Sequence, residues 1–118
     1  MKIFVSSTDN ITKMVGDRFA AQLRHKPTSV LGMTTGSTPL TLGIFKDWIR
    51  RVEEGEMDFS QATIINPDEL LGIPGDHPES YKTYLEKHLF QSITVARDKI
   101  HVPSSQPDDP VAECHRFD

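Results

Sequence analysis

A chain of 118 residues is long enough for one modest hydrophobic core and too short for two domains of ordinary size. Its 36% hydrophobic and 25% charged residues are those of a folded globular protein, and a formal charge of −4 without a basic tract argues against nucleic acid as a partner. Cys114 is the single cysteine, which excludes an intrachain disulfide and a cysteine-based zinc set and makes the cytoplasm the expected compartment.

Met1-Lys2-Ile3-Phe4-Val5-Ser6 holds three consecutive apolar side chains, far short of a signal segment or a membrane span. Residues 2–5 therefore read as a first strand, and no membrane contact is expected. Ser6, Ser7 and Thr8 offer helix caps, and Ile11, Val15, Phe19 and Leu23 then recur every four residues. That spacing predicts an amphipathic helix, ended by His25-Lys26-Pro27. Val30-Leu31-Gly32-Met33, apolar and bounded by polar residues, predicts a buried strand. Pro39 suits the first turn of a second helix, with Leu42, Phe45, Ile49 and Val52 inward and Gly55 as a left-handed cap. Trp48, one residue off that stripe, is expected to flank the core with its ring N–H open to water.

Residues 62–65 predict a third strand, and the loop at 66–77 carries two prolines and two glycines that break regular structure. A third helix is expected from Pro78, with Tyr81, Leu85 and Leu89 inward and His88 packed near Tyr84. Residues 100–102 form a short fourth strand, and a connector at 103–110 follows. Asp109 caps and Pro110 opens a last helix through Val111, Cys114 and Phe117, too short to be stable by itself. Alternating strands and helices define an α/β fold with right-handed crossovers. The expectation is a three-layer Rossmann-like parallel sheet with helices on both faces, incomplete because four strands and a two-turn final helix leave it thinly covered.

In such a sheet ligands bind beyond the carboxyl ends of the strands, where a loop entering a helix presents free N–H groups. Thr34-Thr35-Gly36-Ser37-Thr38-Pro39 falls at that place. Gly36 lets the backbone approach an oxyanion, and the hydroxyls of Thr35, Ser37 and Thr38 donate to it. There is no Walker lysine and no dinucleotide spacing, so a nucleotide is not the expected ligand. The competing possibility is that these residues only turn the chain and cap a helix.

Asp68 and Glu69 follow the strand at 62–65 and so reach the same sheet edge. Moving a carbonyl between adjacent sugar carbons needs one base that takes a proton from one carbon and returns it to the next, while a phosphate anchors the far end. Against this, Asp68 would merely start an Asx turn and Glu69 would be solvated. Asp68, Asp76, His77 and Glu79 match no calcium-loop or zinc-helix spacing, so no metal is expected. Tyr81 and Tyr84 offer a hydroxyl to a sugar, with core packing as the alternative.

The segments Leu31-Gly32-Met33-Thr34-Thr35-Gly36-Ser37-Thr38-Pro39 and Asn66-Pro67-Asp68-Glu69-Leu70-Leu71-Gly72-Ile73-Pro74, with His77-Pro78-Glu79-Ser80-Tyr81, resemble the glucosamine-6-phosphate deaminase (isomerase) family, which is related to 6-phosphogluconolactonases. The resemblance covers about the first half of a family member, so residues 1–118 read as the N-terminal part of a single sugar-phosphate isomerase-type α/β domain. It implies conversion of glucosamine 6-phosphate, the phosphorylated amino-sugar partner, into fructose 6-phosphate and ammonia without an organic cofactor. It implies Asp68 as the base acting between C1 and C2, and Thr35, Gly36, Ser37 and Thr38 as the holders of the 6-phosphate. Glu69 and Tyr81 fall in the site loop.

The family's ring-opening histidine, supporting acids and basic phosphate ligands have no counterpart in this chain. A dianionic phosphate beside Asp68, Glu69, Asp76 and Glu79 independently calls for cations, and neither loop contains Lys or Arg. The chain is therefore expected to be inactive by itself, and the complete enzyme to be a homo-oligomer. Ser37 stands where a second glycine is common, Pro67 where methionine is, and Leu70 where an aromatic is. These departures leave galactosamine-6-phosphate isomerisation open, beside a 6-phosphogluconolactonase-like hydrolase and a non-catalytic sugar-phosphate sensor.

Overall fold

The computed structural model describes residues 3–118. The four-residue recurrence of apolar side chains folds as α1 (Thr8–His25), which opens where Ser7 Oγ accepts the Asn10 N–H and buries Gly16, Ala20 and Leu23. Lys26 donates its N–H to the Gln22 carbonyl, and Pro27 then prevents continuation. Against α1 packs α3 (Ile44–Glu53), joined by an ion-pair cluster around the buried Arg51. The Arg51 guanidinium donates to Asp47 at 2.7 Å within α3 and to Asp17 of α1 at 3.0 Å. Gly16 faces that cluster because nothing larger fits: a Cβ there would lie 2.2 Å from Asp47 Oδ2.

Three parallel strands, β1 (Val30–Gly32), β2 (Thr63–Ile65) and β3 (Ile100–His101), lie in the order β1-β2-β3. Val30, Leu31 and Gly32 pair with Thr63, Ile64 and Ile65, and the last two pair with Ile100 and His101. The parallel α/β architecture, with an incomplete sheet, is the one expected. Leu31, Met33 and Ile64 point into one core with Phe45, Trp48, Phe59, Leu85 and Leu89. Val30, on the other face, is 62% exposed. The strand expected to be buried is thus buried on one face only, because the core cluster covers just that side.

Several expectations are corrected. Ile3, Phe4 and Val5 form no strand and are exposed, because a strand is a property of a pair and no described strand lies alongside them; Lys2 lies outside the described residues. The helix expected from Pro39 to Gly55 is two helices, α2 (Ser37–Thr41) and α3, divided at Gly43 with φ 71°. Thr12 Oγ1 donates to the Leu42 carbonyl at 2.6 Å, so α1 takes an acceptor that a continuous helix would have used internally. The break resets the phase of α3, burying Phe45, Trp48 and Arg51 and leaving Ile49 and Val52 half-buried. Trp48 is consequently only 4% exposed, and its Nε1 is buried without a partner among the described residues instead of lying open to water.

Gly55, with φ 73°, is left-handed as expected. The next helix, α4 (Tyr81–Leu85), begins three residues beyond Pro78 because Ser80 caps it, its Oγ accepting the Thr83 N–H at 3.0 Å. It continues as a π-helical turn, Glu86–Phe90, that buries Leu89 and Phe90 together. His88 packs on Tyr84, ring centroids 4.8 Å apart, as expected. The final helix α5 (Pro110–Phe117) starts where predicted, with Asp109 Oδ1 accepting the N–H groups of Val111 and Ala112. It buries no residue, and Glu113 Oε1 holds it to the connector by accepting the Ser104 N–H at 2.6 Å. Among the described residues no helix is long and apolar enough to cross a membrane.

Candidate functional site

Gly32 and Ile65 are register partners, so the chain leaves the sheet at neighbouring points on one edge. Thr35 and Asp68 each come three residues later. The ladder reaches slightly further than the strands, with Met33 N–H bonded to the Ile65 carbonyl at 2.8 Å and Asn66 N–H to the His101 carbonyl at 2.9 Å. Both loops therefore spring from a fixed base.

In the first loop Gly36 has φ 102°, a conformation that favours glycine, and stands before α2 without a side-chain cap. Thr35 is half-buried, whereas Gly36, Ser37 and Thr38 are exposed. Ser37 and Thr38 occupy the first turn, whose N–H groups have no intrahelical acceptor. The loop is held from the far side by Tyr84, whose hydroxyl donates to the Gly36 carbonyl at 2.5 Å. Burial pushes the Tyr84 phenol upward from its ordinary pKa. Its ring meets Phe45 edge-on, 6.3 Å between centroids.

In the second loop the Asp68 side chain is exposed. Glu69 is neither solvated nor free: Oε1 accepts the N–H of Leu70 and Tyr81 at 2.8 Å each, and Oε2 accepts that of Lys82 at 3.0 Å. A carboxylate at the first N–H groups of α4 satisfies orphan donors and meets the positive end of the helix. Tyr81, the first residue of α4, is half-buried and contributes its backbone N–H to that arrangement. The two loops are thus connected from Gly36 through Tyr84 and α4 to Glu69, next to Asp68. A cleft of about 400 Å³ between α4 and the β3 side includes Glu69, Lys82 and Arg97, but neither Asp68 nor the Thr35 to Thr38 loop. Arg97 there is occupied by Glu86, Nη2 to Oε1 2.8 Å.

Two residues of this region escaped the sequence reading in the roles they take. Tyr84 was one of two tyrosines with a free choice of partner, and a carbonyl 48 positions away cannot be inferred from spacing. Asn66, wholly buried, donates from Nδ2 to the Asp68 carbonyl. Its position immediately after an apolar strand was the available signal.

No protein-family model matches the chain. The glucosamine-6-phosphate deaminase of Thermoanaerobacter sp. (strain X514) is 33% identical over 100% of this chain and 46% of its own length. That of Alkaliphilus metalliredigens (strain QYMF) is 36% identical over 97% of this chain and 47% of its own. A solved structure of a monomeric glucosamine-6-phosphate deaminase superimposes with TM-score 0.91 at 30% identity, covering 99% of this chain and 48% of that one. The 6-phosphogluconolactonase of Thermotoga maritima shares the fold, with TM-score 0.71 at 14% identity over 98% of this chain and 49% of its own. The chain spans about half the length of the curated relatives it matches. Its resemblance to the deaminase family extends across nearly all of its residues.

Proposed function

We propose that this chain, similar to glucosamine-6-phosphate deaminases over about half their length, supplies the base and one phosphate loop of an amino-sugar phosphate deaminase-isomerase. The observation that carries the proposal is the joining of two loops at the carboxyl ends of adjacent paired strands. Thr35, Gly36, Ser37 and Thr38 receive the 6-phosphate of glucosamine 6-phosphate. Asp68 takes the proton from C2 of the opened sugar and returns it at C1. The resulting imine at C2 adds water and releases ammonia, leaving fructose 6-phosphate. Glu69 and Tyr81 hold the loop in register with α4 rather than touching the sugar.

Residues 1–118 form part of one α/β domain in this proposal. The group that opens the sugar ring and the cations that balance the phosphate come from outside them, and the chain alone is inactive. The test is ammonia release from glucosamine 6-phosphate by this chain, then with the missing half of a family member supplied, each with Asp68→Asn as control. Release only in the second case, reduced 10²-fold or more by Asp68→Asn, is the expected result for a lost general base. Release that survives Asp68→Asn overturns the base assignment, and faster hydrolysis of 6-phosphogluconolactone overturns the reaction class. Homo-oligomer assembly and a cytoplasmic setting belong to the same proposal, the first tested by sedimentation velocity on the completed protein.

A further inference from the structure

Asn66 occupies a place where an amide is a burden. It follows β2 directly, is wholly buried, and is surrounded by a core in which its neighbour in the strand, Ile64, is also wholly buried. An apolar side chain of similar volume would avoid the desolvation of two polar atoms. Nδ2 finds one acceptor, the carbonyl of Asp68, and Oδ1 finds no donor among the described residues. A polar group kept in the core with one of its two polar atoms unmet among the described residues needs a reason other than stability.

The reason lies two residues on. Pro67, between Asn66 and Asp68, has a fixed φ and no N–H. The Asn66 amide then fixes the carbonyl at the other end of the Asp68 residue, and the Asn66 N–H itself is tied to β3 through the His101 carbonyl. On the far side Glu69 is anchored to the first N–H groups of α4. The Asp68 backbone is held from before and after while its carboxylate remains exposed.

We propose that Asn66 is a positioning residue for Asp68, setting the backbone from which the carboxylate reaches the sugar; this rests on the base assignment proposed above. It acts without touching substrate. Its effect falls on the proton-transfer step rather than on the hold of the phosphate loop, which is secured separately through Tyr84.

The experiment uses the deaminase-active form of the protein with Asn66→Leu, which keeps the heavy-atom branching and removes both polar atoms, and Asn66→Asp, which keeps the shape and removes the donor. Thermal unfolding, kcat and KM for glucosamine 6-phosphate, and exchange of the C2 proton with solvent are measured for each, with Asp68→Asn alongside. The expected result is a folded Asn66→Leu protein with melting temperature equal to or above the parent's, kcat and C2 exchange reduced tenfold or more, and KM changed less than threefold. Asn66→Leu that folds and retains kcat within twofold overturns the inference, as does failure of both variants to fold, which would make the amide a structural necessity. Loss of turnover in Asp68→Asn with full turnover in Asn66→Leu overturns this inference alone. Full turnover in Asp68→Asn overturns the base assignment and the inference with it.

Discussion

Replacing Gly16 by alanine sets two effects of known size against each other. Alanine is favoured over glycine inside a helix by about 1 kcal/mol, so α1 taken alone would gain. The added Cβ, however, would lie 2.2 Å from Asp47 Oδ2, 2.6 Å from Arg51 Nε and 2.9 Å from Arg51 Cζ. These are atoms of a partly buried ion pair, and Arg51 also bridges to Asp17, so neither partner can swing away without exposing or unpairing a charge. Overpacking of this kind costs about 2–3 kcal/mol, which outweighs the propensity gain. The net expectation is a loss of about 1–2 kcal/mol, lowering the melting temperature by about 4–8 °C for a chain of this size. Differential scanning calorimetry of Gly16→Ala, Asp47→Ala and the double variant measures it. The Gly16→Ala penalty should shrink in the Asp47→Ala background, where the nearest clashing atom is gone. A higher melting temperature in the single variant would refute the reasoning, showing that α1 and α3 separate freely.

Tyr84→Phe removes one hydrogen bond to a carbonyl in an exposed loop while keeping the ring against Phe45. Stability should fall by only about 0.5–1 kcal/mol, whereas affinity of the completed protein for a phosphosugar, followed by calorimetric titration, should drop severalfold. Glu69→Ala withdraws the acceptor for the first N–H groups of α4 and should cost about 1–2 kcal/mol in denaturant titration, with Glu69→Gln closer to the parent. Glu113 is held at about 2 rather than 4.5, first by the Arg116 guanidinium and then by the Ser104 N–H. Because folding depresses this pKa, its contribution is complete above about pH 4.5 and lost as pH falls through about 2. The Ser104 amide resonance should therefore move toward its unbonded position over that interval, and a flat response would refute it.

Where local chemistry decides structure, the sequence is legible. The stripe of α1, the Asp109-Pro110 start of α5 and the left-handed Gly55 all depend on neighbours within a turn or two. The second helix is not, because Leu42, Phe45, Ile49 and Val52 make an unbroken stripe while the interruption comes from Thr12, thirty residues earlier, bonding the Leu42 carbonyl. Once Gly43 turns the chain, Phe45 stays inward while Trp48 and Arg51 become the buried positions of α3 and Ile49 and Val52 move to its half-buried margin. At the candidate site the separate loops can be read from Gly36 and Asp68 as sequence punctuation. Their connection cannot, since it runs through a Tyr84 hydroxyl and a Glu69 carboxylate whose acceptors and donors are backbone groups. Backbone partners carry no residue identity for a pattern to record.

The order β1-β2-β3 means that each crossover has stepped the same way, leaving β1 as a free margin among the described strands. The loop that follows β1 is the one with Gly36. A parallel strand added at this margin would lie about 4.8 Å away, and its own outgoing loop would emerge beside Thr35, Ser37 and Thr38. The margin thus works as an address: whatever chain docks there delivers its next few residues beside the Gly36 loop. A lysine or arginine carried in such a loop would arrive opposite a cradle that has hydroxyls and N–H groups but no formal charge of its own.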